Sequence, residues 1–216
     1  MDNVREDSVK MLNHALELEH AARIQYLAHA EQKKLQNNKH FSMMPIAPLM
    51  IEHRLIEKMI KLVEDELYKI NQANKVDPIF IEKTVDFFRT YADRCHHGKE
   101  ENILFGELAK KKLSSEHKKI MRELINEHIL GRTTVDRLAN AKERYVDVDY
   151  DTTKEIVECL KILVGFYPSH IAREDKQFFF PCMKYFSQEE RDIMLDQCWE
   201  FDRSMIHEKY QKTIEQ

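Results

Sequence analysis

The sequence predicts an all-α chain: an up-down four-helix bundle with one helix added at the N-terminal end and one at the C-terminal end. Three observations predict it. Helix breakers are few, with 4 glycines in 216 residues where average usage would place roughly 15. No stretch alternates Val, Ile and Thr in the way strands require. Long segments instead repeat apolar residues at i, i+3, i+4 and i+7, the period of one buried helix face. Hydrophobic residues at 43% can fill a core, and charged residues at 33% can cover its surface.

The elements follow in order. Leu12, Ala15, Leu16, Glu19, Ala22, Tyr26 and His29 keep helical spacing, so a long amphipathic helix covers about residues 4–35 and ends at Asn37-Asn38. Pro48 suits the first turn of the next helix, about 49–70, which NQANKVDP breaks. A helix over about 79–113 ends at Ser114-Ser115, and another over about 116–144 ends at YVDVDYD. A helix over about 152–185 holds Pro168 and Pro181, each a candidate kink. Ser187 and Glu190 form a capping box that opens a last helix reaching about residue 214. Its stripe of Ile193, Met194, Cys198, Trp199, Met205 and Ile206 is expected to pack on the bundle. The chain so divides into an N-terminal helix (1–38), a bundle (45–187) and a C-terminal helix (188–216).

A net charge of −4 gives no general attraction to nucleic acid or to acidic membranes. Lys110 to Lys112 fall at a helix end, where lysines suit the dipole. No apolar run approaches the ~18 residues of a membrane span, and the N-terminus is acidic and polar. Cys95, Cys159, Cys182 and Cys198 are widely spaced and read as free thiols of a reducing cytosol. The chain is therefore expected to be cytoplasmic.

The chemistry is concentrated in HHGKEENILF, residues 96–105, and its altered copy HIAREDKQFF, residues 170–179. Each sets a histidine four residues before a carboxylate (His96 and Glu100, His170 and Glu174), so each aims an imidazole and a carboxylate from one helix face. LMIEH ending at His53 and LINEH ending at His128 repeat at nearly the same interval, so one helical hairpin is used twice. In an up-down bundle, residues at one level lie equally far from the turn joining their helices. The midpoint of His53 and His96 falls inside NQANKVDP, that of His96 and His128 beside Ser114-Ser115, and that of His128 and His170 inside YVDVDYD. The four histidines therefore share a level, with Glu100 and Glu174 one turn away. Four imidazoles and two carboxylates exceed a tetrahedral zinc site and suit two metal ions, with the carboxylates bridging. Mixed imidazole and carboxylate donors favour iron, with manganese or zinc as substitutes.

The order His53, His96-x-x-x-Glu100, His128, His170-x-x-x-Glu174, with the flanks KEExxLF (Lys99 to Phe105) and REDxxFFFP (Arg173 to Pro181), resembles the hemerythrin-like, or HHE cation-binding, family over about Pro45 to Ser187. The resemblance implies a non-haem diiron centre inside a four-helix bundle, with positions left for a solvent bridge, O2, peroxide or NO. The pattern departs from the oxygen carriers of that family. They have a fifth histidine four residues from the ligand on the third helix, where this chain has Leu124 and Arg132, and an aspartate where Glu174 stands. His97 and Glu101 double the first motif. His97 is a candidate fifth ligand, although its ~100° offset from His96 favours a place behind the ligands or at the surface, and Glu101 and Asp175 read as solvated or supporting groups. Tyr167 is placed either to hydrogen-bond a bound oxygen species or to pack. Arg132 lies over the site beside a carboxylate, or in a rim ion pair. Gly98, Gly131 and Gly165 cluster near the proposed ligands, through close helix approach or through local helix distortion.

The N-terminal helix resembles the first helix of ferritin-like proteins, with Glu19 at their ligand position and Tyr26 and His29 matching. The partner elements are missing, since Glu17-x-x-His20 stands alone, so this helix is expected to dock on the bundle or join a homodimer. The function so implied is a cytosolic diiron protein that binds or reacts with O2, peroxide or NO. The alternatives are an iron or oxygen sensor acting through a protein partner, and iron handling or repair of nitrosative damage.

Overall fold

The computed structural model of the protein describes residues 44–146 and 152–215; the N-terminal helix expected over about residues 4–35, with its resemblance to ferritin-like proteins, lies outside them. Helix α1 is Ala47–Ala73, with Pro48 in its first turn. It ends on Asn74 in the left-handed conformation (φ 48°), whose N–H donates to the Ile70 carbonyl at 2.8 Å. Asp77 caps α2, its carboxylate accepting from the N–H groups of Ile79 at 3.0 Å and Phe80 at 3.4 Å. The second helix, α2, spans residues 78–109. The third, α3, is Ser115–Val146, and the Ser114 hydroxyl accepts from the His117 N–H at 3.1 Å. The fourth, α4, spans residues 153–185, and α5 is Gln188–Glu215. The capping box at its start is formed: the Ser187 N–H donates to Glu190 at 2.9 Å, and the Glu190 N–H donates to the Ser187 hydroxyl at 3.2 Å.

Helices α1 to α4 form a closed ring in which α1 packs on α2 and α4, and α3 on α2 and α4. No strand occurs among the described residues. The histidine level lies between two apolar layers. One holds Ile56, Val63, Phe88, Leu138, Ile156 and Leu163, and the other Leu49, Leu108, Leu124, Phe178 and Phe179. Helix α5 adds Met194 and Cys198 to the second layer, and Trp199 is buried as well. Ile193, expected in this stripe, is 51% exposed. It stands one residue, about 100°, outside the Met194, Cys198, Phe201 and Asp202 stripe that faces inward.

The largest departure from the expected helices is at the motifs. Helix α2 is α-helical over Pro78–Phe87, widens into π-helical turns over Phe88–His97 and Glu100–Phe105, and closes α-helical over Gly106–Ala109. Helix α4 is α-helical over Thr153–Arg173 and π-helical over Glu174–Phe179. Kinks at Pro168 and Pro181 and local distortion near the glycines were the departures expected; π-helical turns were not. Pro181 supplies one reason in α4, since it has no N–H with which to close an α turn onto residue 177. No proline helps in α2. Of the glycines near the motifs, Gly98 and Gly131 allow close approach: a β-carbon would lie 2.8 Å from the Phe201 ring at Gly98 and 3.2 Å from the Phe166 ring at Gly131. Gly165 has open space instead.

All four cysteines are free and buried, and no helix among the described residues is long and apolar enough to cross a membrane. Leu138 is fully buried in the layer away from α5. Leu138→Ala should cost about 2–5 kcal/mol, read as a lower midpoint of denaturant unfolding at fixed iron concentration; a midpoint unchanged would show that this layer is not packed.

Candidate metal centre

Each of the four bundle helices delivers one histidine, and α2 delivers a second. His53 comes from α1, His96 and His97 from α2, His128 from α3 and His170 from α4, and all are at most 1% exposed. Glu100 and Glu174 stand between them and are fully buried. The Nε2 of His53 lies 3.1 Å from Glu174 and 3.9 Å from Glu100. That of His96 is 3.3 Å from Glu100, that of His128 is 3.3 Å from Glu100 and 3.8 Å from Glu174, and that of His170 is 3.2 Å from Glu174. One oxygen of Glu100 faces His53 and His96, and the other faces His128.

The opposite nitrogen of each ring is tied down. His96 Nδ1 donates to Glu52 at 3.0 Å, His128 Nδ1 to Glu101 at 2.7 Å, His170 Nδ1 to Glu127 at 2.8 Å and His53 Nδ1 to Asp175 at 2.8 Å. Each carboxylate comes from the neighbouring helix, so the four bonds run round the bundle as a closed circuit. They hold each ring with its Nε2 directed inward, as carboxylates behind metal-bound histidines do. Every one of those carboxylates is in turn held by a cation: Asp175 by Arg54, Glu101 by Arg132 at 2.7 Å, Glu127 by Arg173 at 2.9 Å, and Glu52 by Lys99. Phe179 stacks on His53 (5.6 Å, 5°) and Phe105 on His128 (6.0 Å, 8°), closing the site on one side. Each phenylalanine follows its glutamate by five residues, the span of a π-helical hydrogen bond.

Glu52 and Glu127 were missed in the sequence, although each stands directly before a motif histidine. The reason is that each serves the histidine of the next helix, not its own neighbour. Glu101 and Asp175 support His128 and His53. Arg132 is a rim group, 34% exposed, bound to Glu101 and, at 2.6 Å, to Asp93. Tyr167 is buried, its ring 6.4 Å from that of His97 and 6.3 Å from that of His170.

His97 was weighed as a fifth ligand against a place behind the ligands or at the surface. It is buried, its ring stacks on His128 at 3.9 Å, and its Nδ1 meets Asp93 at 3.3 Å. The π turns explain this, because a wider turn brings neighbouring residues to roughly 80° apart in place of 100°. His96 and His97 can then both face the interior.

The charge balance calls for a cation. The Nε2 atoms of all five histidines and all four oxygens of Glu100 and Glu174 are buried without a hydrogen-bond partner among the described groups, although several lie at ion-pair distance. Leaving two carboxylates so buried is costly unless positive charge sits between them. Burial works against a charged His53, but its bonds to Asp175 and Glu174 outweigh this and raise its pKa to about 10. His128 is likewise opposed by burial but raised to about 11 by Glu100, Glu101 and Glu174. Burial, then the neighbouring imidazoles and Arg132, push His97 well down, so it remains a neutral donor. The donor atoms fall into two sets within 4.8 Å: His53, His96, Glu100 and Glu174, and His97, Glu100, His128 and His170. Glu100 belongs to both.

A four-helix bundle that lines its interior with histidines and two buried carboxylates defines a class of metal-binding helical proteins. The family model described as hemerythrin HHE cation binding domain matches residues 44–199, and the chain belongs to that family. No curated protein and no solved structure matches the chain significantly.

Replacing Glu127 by Ala removes the acceptor that orients His170. Metal retention should fall about 10–100-fold in competition with a chelator; unchanged retention would show that packing alone holds the ring.

Proposed function

We propose that the chain holds a non-haem diiron centre which binds or reacts with O2, peroxide or NO. The observation that supports it above the rest is the pair of overlapping donor sets sharing Glu100, in a cavity whose bare atoms are imidazole nitrogens and carboxylate oxygens. One ion is assigned to His53, His96, Glu100 and Glu174, and the other to His97, His128, His170 and Glu100. Imidazole with carboxylate suits iron, with manganese or zinc able to substitute.

His97 takes the part of the fifth histidine that the oxygen carriers place on the third helix. The chain's own groups set the conditions: the four carboxylate bonds aim each Nε2 at the interior, and Phe105 and Phe179 exclude water from one side. Burial, then Asp93 and the two glutamates, raise the Tyr167 pKa above its ordinary value, so its phenol stays a hydrogen-bond donor. A reduced iron pair would supply electrons and an open position for the small molecule.

Anaerobic reconstitution with ferrous iron tests this reading. Two ions per chain are expected, with visible spectra that change on adding O2, peroxide or NO in turn. Fewer than about two ions, or the same uptake by a His96→Ala, His170→Ala double variant, would overturn it. His97→Ala should leave one ion firmly bound and the other easily lost. If both ions stay in that variant, His97 is not a ligand.

A sensor reading is favoured by one observation, the buried link from His96 through Glu52 and Lys99 to Asp202 of the C-terminal helix.

A further inference from the structure

Three of the four carboxylates behind the histidines are held by cations that reach solvent: Arg54, Arg132 and Arg173 are 53%, 34% and 30% exposed. The fourth differs. Lys99 is 0% exposed, and its ammonium bonds both to Glu52 and, at 2.7 Å, to Asp202 of α5. Glu52 is 6% exposed and Asp202 5%. The Cys95 thiol lies 3.4 Å from Asp202 and 3.9 Å from Glu52. Glu52, Cys95 and Asp202 have the donors of a small cation site, but the Lys99 ammonium already occupies the place between the two carboxylates.

We propose that Asp202, Lys99 and Glu52 form a buried relay that couples seating of the C-terminal helix α5 to occupancy of the metal position at His96. The proposal rests on the diiron reading and adds a regulatory element to it. Glu52 divides its two oxygens between Lys99 and His96, so the pull of Lys99 on one is felt at the other. Asp202 shares the lysine's charge. With Asp202 seated, Lys99 is pulled less strongly toward Glu52, and Glu52 is left to polarise His96 as a ligand. Without the Asp202 carboxylate, more of the ammonium's charge falls on Glu52, and His96 becomes a poorer donor.

A second contact places α5 on the same segment. Gly98, between His97 and Lys99, has no side chain, and the Phe201 ring fills the space. Asp202 and Phe201 are neighbours on α5, as Gly98 and Lys99 are on α2, so helix contact and ion pair meet beside the ligands. Burial leaves such a lysine with no solvent to replace a lost partner, unlike the three arginines. Linkage is reciprocal: if α5 favours iron at this position, iron must favour the seated α5 by the same factor.

The test is amide hydrogen exchange on the full chain, with and without ferrous iron, alongside iron stoichiometry and chelator competition. General stabilisation by iron slows exchange throughout the bundle, so residues 194–202 of α5 are compared with 59–70 of α1. In the wild type, iron should slow α5 at least about fivefold more than α1. Asp202→Asn should abolish that excess and weaken retention of one ion about tenfold, while α1 remains protected and reports a folded bundle. Arg54→Gln disturbs the relay behind His53 and should weaken retention, yet leave the α5 excess intact. A chain that takes up two ions but shows no α5 excess, or keeps it in Asp202→Asn, overturns the coupling and leaves the diiron reading standing. A wild type that takes up no iron overturns both.

Discussion

The hydrogen bond from each imidazole Nδ1 to a carboxylate on the neighbouring helix is the interaction on which the rest of this structure depends. It holds the rings of His53, His96, His128 and His170, turns four Nε2 atoms toward one cavity, and joins the helices in a ring. Buried imidazoles without those partners could rotate or pick up protons elsewhere. With them, the interior has donors of one chemical kind and two carboxylates that need a positive partner. The apolar layers above and below keep that requirement from being met by water.

The fold and the level of the site were readable because they depend on spacing. Helical period, scarce glycine and the placement of NQANKVDP, Ser114-Ser115 and YVDVDYD determine which residues lie at equal heights, and height is what brings His53, His96, His128 and His170 together. The helix starts at Pro48, Asp77, Ser114 and Ser187 follow from local chemistry. What could not be read depends on rotation about the helix axis. For His97, a place behind the site or at the surface was favoured over a fifth ligand because 100° per residue was assumed, and the π turns of α2 narrow that angle. The i to i+5 spacing of Glu100 with Phe105, repeated at Glu174 with Phe179, was the available sign of a wider turn. Glu52 and Glu127 escaped notice for another reason: their partners lie on adjacent helices, and spacing along one helix says nothing about pairing across two.

The two halves of the bundle use the same plan with different endings. Arg54, Arg132 and Arg173 hold their carboxylates at the rim, where solvent weakens each contact and makes its loss cheap. Lys99 holds its carboxylate inside, where the pair tolerates no such loss. An otherwise symmetrical arrangement therefore acquires one unlike corner, and that corner is where the C-terminal helix touches the bundle.

The circuit of four bonds also has a topological consequence. Glu52 to His96 and Glu127 to His170 close within a hairpin, but Glu101 to His128 and Asp175 to His53 cross from one hairpin to the other. Neither half of the duplication is a self-sufficient unit, since each orients a histidine belonging to its twin. A gene for one hairpin could have encoded a working centre only by pairing two copies of its product. Lys99 and Arg173, which stand at matching places in the two halves, differ without breaking the interlock between them.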